Sequence, residues 1–131
     1  MTKMETMKEI LQINNSNILL QLPTSFGKTR FSLEILKKRN PKNILIVVPR
    51  LVLINNWKDE MTKWGCKEVI KNTVFTTYVS LPKHAGSWDM IIFDEVQHLS
   101  ERCMNALDSF TIKYSVLLSA TVKRELLYEL K

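Results

Sequence analysis

No stretch of this chain is apolar for long enough to cross a membrane. The longest apolar run, Ile44 to Ile54, is interrupted by Pro49-Arg50, and a spanning helix needs about 20 consecutive apolar residues. The N-terminus lacks the apolar core of a secretory signal, because Glu5 and Glu9 stand among its apolar residues. Cysteine is scarce: Cys66 and Cys103 are far apart. That spacing reads as two reduced, half-buried thiols in a cytosolic protein, not as a metal site. Internal repeats, low-complexity segments and linkers are missing too, so 131 residues make one domain. Acidic residues are few in the first half. Residues 1–71 carry 13 Lys/Arg against 6 Asp/Glu, whereas residues 72–131 carry 6 against 7. A basic half suits nucleic-acid phosphates; the plainer reading is a solvated, lysine-rich surface.

The most informative stretch runs from Ile18 to Thr29, ILLQLPTSFGKT. An apolar run ends in a turn, and the turn delivers Gly27-Lys28-Thr29 to the start of an amphipathic helix. This is the layout of a phosphate-binding loop. The first N–H groups of a helix are free, and its dipole favours an anion there. A lysine in Lys28's place reaches the terminal phosphates, and a hydroxyl in Thr29's place can hold Mg²⁺.

Along the chain, buried strands alternate with helices. Thr2 to Asn14 reads as a short helix, with Thr2 and Glu5 at capping-box spacing. Ile18 to Leu22 and Asn43 to Val48 read as strands buried on both faces. Between them, Thr29 to Arg39 is a helix stopped by Asn40-Pro41. Ile54, Trp57, Met61 and Trp64 form the apolar stripe of a helix closed by Gly65. For Trp57 and Trp64 the pattern favours core packing. Val69-Ile70 and Thr73 to Phe75 are short strand material, and Met90 to Phe93 and Tyr114 to Leu118 are strong strands. Leu99 to Phe110 and Lys123 to Leu130 complete the helices. The alternation predicts an α/β fold, with a mostly parallel central sheet and helices on both faces. Ligands bind outside the carboxyl ends of such strands. Here those ends carry residues 24–29, Pro49-Arg50, Thr76 to Tyr78, Asp94-Glu95 and Ser119 to Thr121. Asp94, after an apolar strand, is placed to hold Mg²⁺, and Glu95 to polarise a water. The plainer alternative for the pair is a helix N-cap with an acidic first turn.

Together these residues resemble the first RecA-like lobe of a superfamily 2 helicase or Snf2-like ATPase. Leu22 to Thr29 is similar to motif I, and Ile46 to Trp57 to motif Ia and the helix after it. Thr76 to Leu81 resembles motif Ib, Asp94-Glu95-Val96-Gln97-His98 motif II, and Ser119-Ala120-Thr121 motif III. The resemblance implies a RecA-like P-loop domain over residues 1–131. It implies that Thr24, Ser25, Phe26, Gly27, Lys28, Thr29 and Gln97 bind ATP, and that Thr29 and Asp94 hold Mg²⁺. Lys28, Asp94 and Glu95 would be the catalytic residues. Pro49, Arg50, Thr76, Thr77 and Tyr78 would lie along duplex DNA, making backbone contacts without sequence readout. His98, Ser119 and Thr121, with Gln97, would couple nucleotide state to nucleic acid. For Tyr78 and Trp88, core or rim packing stands as the other reading.

The chain also departs from the family. Ser25 stands where motif I usually has a glycine, which tolerates positive φ. Gln97, fourth in motif II, can bridge to motif III by hydrogen bonds but cannot change charge. No adenine-reading segment precedes the loop, and no aromatic residue precedes Phe26. The chain stops just after motif III, so the second lobe and its arginine finger are expected to be absent. The expectation is therefore a cytoplasmic, sequence-independent binder of double-stranded DNA with a residual P-loop site and little or no ATPase alone. A nuclease is a conceivable partner. The alternative is an ATPase or helicase subunit completed in trans by a second-lobe protein. A third reading is a remnant whose motifs persist for packing. The Lys/Asn/Ile-rich composition resembles small proteins carried by phages, in a bacterial or phage-infected cell.

Overall fold

The computed structural model describes residues 17–21 and 28–119. The helix expected at residues 2–14, the turn at 22–27 and the segment 120–131 lie outside the described residues, as do the side chains of Gln21 and Lys28. In chain order the elements are β1 (Asn17–Gln21), α1 (Lys28–Arg39), β2 (Ile44–Val48), α2 (Val52–Lys63), β3 (Thr73–Thr77), β4 (Ser87–Phe93), α3 (Glu101–Ala106) and β5 (Thr111–Ser119). The strands form one five-stranded sheet in the order β1-β5-β4-β2-β3. Every pairing in it is parallel.

The apolar runs explain the order. β2 (ILIVV) is buried at every position, and β4 is buried from Met90 to Phe93. Strands with no polar face must be covered on both sides, which a parallel sheet with crossover helices provides. Ile46, Val48, Ile92 and Leu118 face a layer built from Phe31 and Ile35 of α1 and Trp57 and Met61 of α2. Leu45, Val47, Phe93 and Leu117 face the opposite layer, with Tyr78, Leu81, Leu99 and Cys103. Each large aliphatic side chain buried this way contributes about 1.5–3 kcal/mol.

Local chemistry sets the element ends. Asn40 adopts a left-handed conformation, φ 48°, and its N–H reaches Leu36 O at 2.9 Å, ending α1 ahead of Pro41. Gly65, φ 82°, does the same for α2, where Cys66 N–H closes on Met61 O at 2.7 Å. Asn43 ties β2 to β4 at the start of their pairing: its Nδ2 donates to Ser87 O at 2.9 Å and its Oδ1 accepts from Asp89 N–H at 2.7 Å. Both cysteines are free thiols, as expected, but they are fully buried and not half-buried, because each packs into one of the two apolar layers.

Three further expectations shift. Val69 and Ile70 lie in a 3₁₀ turn over Lys67–Asn72, closed by Thr73 Oγ1 donating to Val69 O at 2.8 Å. The helix expected over residues 99–110 is shorter, because Ser100 caps its start (Cys103 N–H to Ser100 Oγ, 3.2 Å) and Leu107–Ser109 tightens into a 3₁₀ turn. β4 and β5 begin earlier than their apolar runs, since pairing continues from Ser87↔Thr111 through residues that are exposed or only partly buried.

Tyr78 stands at the top of the second layer. It is 5% exposed, and its hydroxyl donates to Asp94 O at 2.6 Å. Burial, and then the negative charges of Asp94 and Glu95, push the phenol well above its ordinary value.

Two outcomes follow in denaturant titrations. Ile46→Ala, at a fully buried position, lowers unfolding free energy by about 2–5 kcal/mol, whereas Val52→Ala, 65% exposed, changes it by less than about 0.5 kcal/mol. In the folded chain Tyr78 stays protonated where an unfolded phenol ionises, so the unfolded state binds fewer protons above pH ~10. Its contribution is complete below that pH. As pH rises further it is lost, with a slope of up to about 1.4 kcal/mol per pH unit. Comparing alkaline stability curves isolates that slope, because Tyr78→Phe lacks it.

Candidate functional site

Because all five strands run parallel, their carboxyl ends share one rim. Register places Gln21 opposite Ser119, Leu117 opposite Phe93, Phe93 opposite Val47, and Val48 opposite Thr77. The rim has two halves. One holds the ends of β1 and β5, the other those of β2 and β3. β4 lies between them, so the turn that follows it, Asp94-Glu95, stands at the junction.

Alternation along β4 puts Asp94 on the same face as Met90 and Ile92, toward α2. There Trp57 Nε1 donates to Asp94 Oδ2 at 3.0 Å. Asp94 N–H bonds Val47 O at 2.8 Å, which extends the β2–β4 ladder by one residue. Glu95 is left-handed, φ 48° and ψ 62°, a conformation that is costly for a residue with a Cβ and that concentrates at functional sites. The Tyr78 hydroxyl on Asp94 O holds the peptide just before it. Cys103 Sγ in turn donates to Tyr78 O at 3.0 Å. Val96–His98 forms a single 3₁₀ turn.

Gln97 and Ser119 meet: Ser119 Oγ donates to Gln97 Oε1 at 2.9 Å. This is the bridge between the fourth residue of motif II and the β5 end that glutamine chemistry allowed. His98 is exposed, with its ring 6.4 Å from that of Tyr78. Helical backbone in α1 begins at Lys28. Thr29 is half-buried, and its carbonyl accepts from Ser32 Oγ at 2.7 Å. Thr24, Ser25, Phe26, Gly27 and Thr121 lie outside the described residues.

On the other half, Pro49 is half-buried and Arg50 exposed. α2 starts here without a side-chain cap; its first turn is closed instead by backbone, with Leu53 N–H on Arg50 O at 3.1 Å and Ile54 N–H on Leu51 O at 3.0 Å. Thr76 and Tyr78 are buried and Thr77 half-buried. Their segment thus offers backbone at the rim, while the Tyr78 ring packs inward. The side chains that stand out are Leu51, Val52 and Val79, at 71%, 65% and 77% exposure. None of these was singled out from sequence. Nor was Trp57's contact with Asp94; the available signal was an indole N–H, which needs a partner, inside an otherwise apolar stripe.

The side chains of the turn at the junction are oxygen donors, the Asp94 and Glu95 carboxylates, and the first turn of α1 offers the Thr29 hydroxyl. Among the described residues no three His, Cys, Asp or Glu side chains gather into a metal cage. Mg²⁺ needs none, being held by one or two carboxylates together with substrate phosphates. The donor set therefore fits a magnesium–nucleotide complex. Among the described residues no helix is long and apolar enough to cross a membrane.

The likenesses to known proteins agree with this geometry. The SWI2/SNF2 ATPase core of Sulfolobus solfataricus, solved in complex with dsDNA, has the same fold over 90% of this chain and 30% of its own, with a TM-score of 0.69 and 22% identity. The DNA 3′-5′ translocase XPB2 of Sulfurisphaera tokodaii is 32% identical over 121 residues, 82% of this chain and 27% of that protein. The 161L protein of Invertebrate iridescent virus 6 is 29% identical over 140 aligned positions, 88% of this chain and 31% of its own. The chain thus spans under a third of the length of each. The family described as "Type III restriction enzyme, res subunit" matches residues 2–124. The chain belongs to that family, and what it carries is a RecA-like lobe of the superfamily 2 helicase type.

Proposed function

We propose that this lobe binds Mg²⁺–ATP on the β1–β5–β4 half of its rim and the phosphate backbone of double-stranded DNA on the β2–β3 half. The observation that carries the reading is the Asp94-Glu95 turn at the junction, with its carboxylate held by Trp57 and its neighbour Gln97 bridged to Ser119. Exposed Arg50 at the start of α2 supports the nucleic-acid half, and so does the excess of Lys/Arg over residues 1–71. The dsDNA complex of the Sulfolobus solfataricus core supports duplex as the ligand.

Each residue then has a task. Lys28, Thr29 and residues 24–27 hold the phosphates, and Thr29 with Asp94 holds the ion. When bound, the ion supplies charge neutralisation at the phosphate oxygens. Glu95 orients a water beside it. Gln97, His98, Ser119 and Thr121 link that half to the rest of the rim. Pro49, Arg50 and the backbone of residues 76–78 meet DNA phosphates, which position the duplex without reading its sequence. The retained Lys28, Thr29, Asp94 and Glu95 favour a nucleotide-linked role over a passive DNA anchor.

Fluorescence anisotropy with a labelled duplex of mixed sequence tests the DNA half. Affinity falls as salt rises, and Arg50→Ala weakens binding and reduces the slope of log K against log salt by about one unit. Calorimetry with Mg²⁺–ADP tests the other half, where Lys28→Ala abolishes or strongly weakens binding. Salt-independent DNA binding, or nucleotide binding indifferent to Lys28→Ala, would contradict the proposal.

A further inference from the structure

We infer that Trp57 is a positioning residue for Asp94: its indole N–H fixes one carboxylate oxygen and thereby sets the direction in which Asp94 faces a magnesium–nucleotide complex. The inference rests on the nucleotide reading above and assigns a task to a residue that its stripe position marks only as core.

Trp57 is 2% exposed, so water cannot satisfy its N–H, and Asp94 Oδ2 at 3.0 Å does. Indole only donates, so the direction of the contact cannot reverse. The ring is held in turn by the first core layer, among β2, β4 and α1 residues. Asp94 is therefore held from both faces of the sheet. Trp57 takes its side chain from one face of the sheet. Tyr78 takes its carbonyl, at 2.6 Å, from the other face, just before the left-handed Glu95. Partners that orient a metal-binding carboxylate typically change metal affinity by about 10- to 100-fold when removed.

The other two tryptophans are internal references. Trp64 Nε1 donates to Glu60 Oε2 at 2.7 Å and Trp88 Nε1 to His84 O at 2.9 Å, both away from Asp94. In the full chain with ¹⁵N-labelled indoles, Asp94→Asn is expected to move the Trp57 N–H resonance and leave those of Trp64 and Trp88 in place. Trp57→Phe identifies the signal and keeps an aromatic ring in the core. It is expected to weaken Mg²⁺–ADP binding about tenfold or more, with ADP binding in EDTA unchanged.

Equal losses with and without Mg²⁺ would mean that Trp57 only packs, and would overturn the inference. So would a Trp57 resonance indifferent to Asp94→Asn, a readout that stands even where Trp57→Phe fails to fold. Wild-type binding matched by Trp57→Phe would remove the positioning role alone. A wild-type chain with no Mg²⁺-dependent nucleotide binding would remove the nucleotide reading, and this inference with it.

Discussion

The parallel pairing of β4 with β5 on one side and β2 on the other is the constraint on which the rest depends. It is enforced by burial: Met90 to Phe93 present no polar face, so the strand can exist only in the middle of a sheet covered on both sides. Once β4 is central and parallel, the first polar residues after it, Asp94 and Glu95, must emerge at the middle of the carboxyl rim.

The position is costly in polar terms, and neutral donors from both faces offset that cost. Trp57 bonds the carboxylate and Tyr78 the carbonyl. Each is anchored in a different apolar layer, so the turn inherits the rigidity of the core. The left-handed Glu95 between these anchors and the 3₁₀ turn at Val96–His98 is the one strained, non-glycine residue at the rim among those described. Asn40, the other non-glycine residue with positive φ, sits at the opposite edge as a helix stop, where that conformation is ordinary for asparagine. The same backbone geometry thus serves chain direction at one end of the sheet and side-chain aim at the other.

Most of the architecture was legible in the residues. Continuous apolar runs at Ile44 to Val48 and Met90 to Phe93 required two-faced burial, and Asn40-Pro41 and Gly65 marked helix ends correctly. The strand order was not legible, because nothing in an apolar run says which neighbour it will choose. That ignorance hid the Trp57–Asp94 contact, which depends on β2 and β4 being adjacent. Short ambiguous stretches also misled. Val69 and Ile70 are β-branched and strand-like, yet local closure by Thr73 makes them a 3₁₀ turn. Tyr78 was balanced between a duplex contact and core or rim packing, and its ring proved buried. At the site, the Gln97–Ser119 bridge was expected from the motif resemblance together with the hydrogen-bonding capacity of glutamine. Residues 24–27 and 121 are outside the described chain, so their part rests on the motif pattern.

The central claim is that one rim, organised around Asp94, receives both ligands. Amide hydrogen exchange of the full chain, with and without Mg²⁺–ADP and duplex DNA, tests it most directly. The account predicts added protection along the carboxyl rim: at Asp94 to His98 with the nucleotide, and at Arg50 to Ile54 and Val79 to Leu81 with the duplex. Protection gathered instead at the opposite edge, around Asn40 to Asn43 and Gly86, would contradict it.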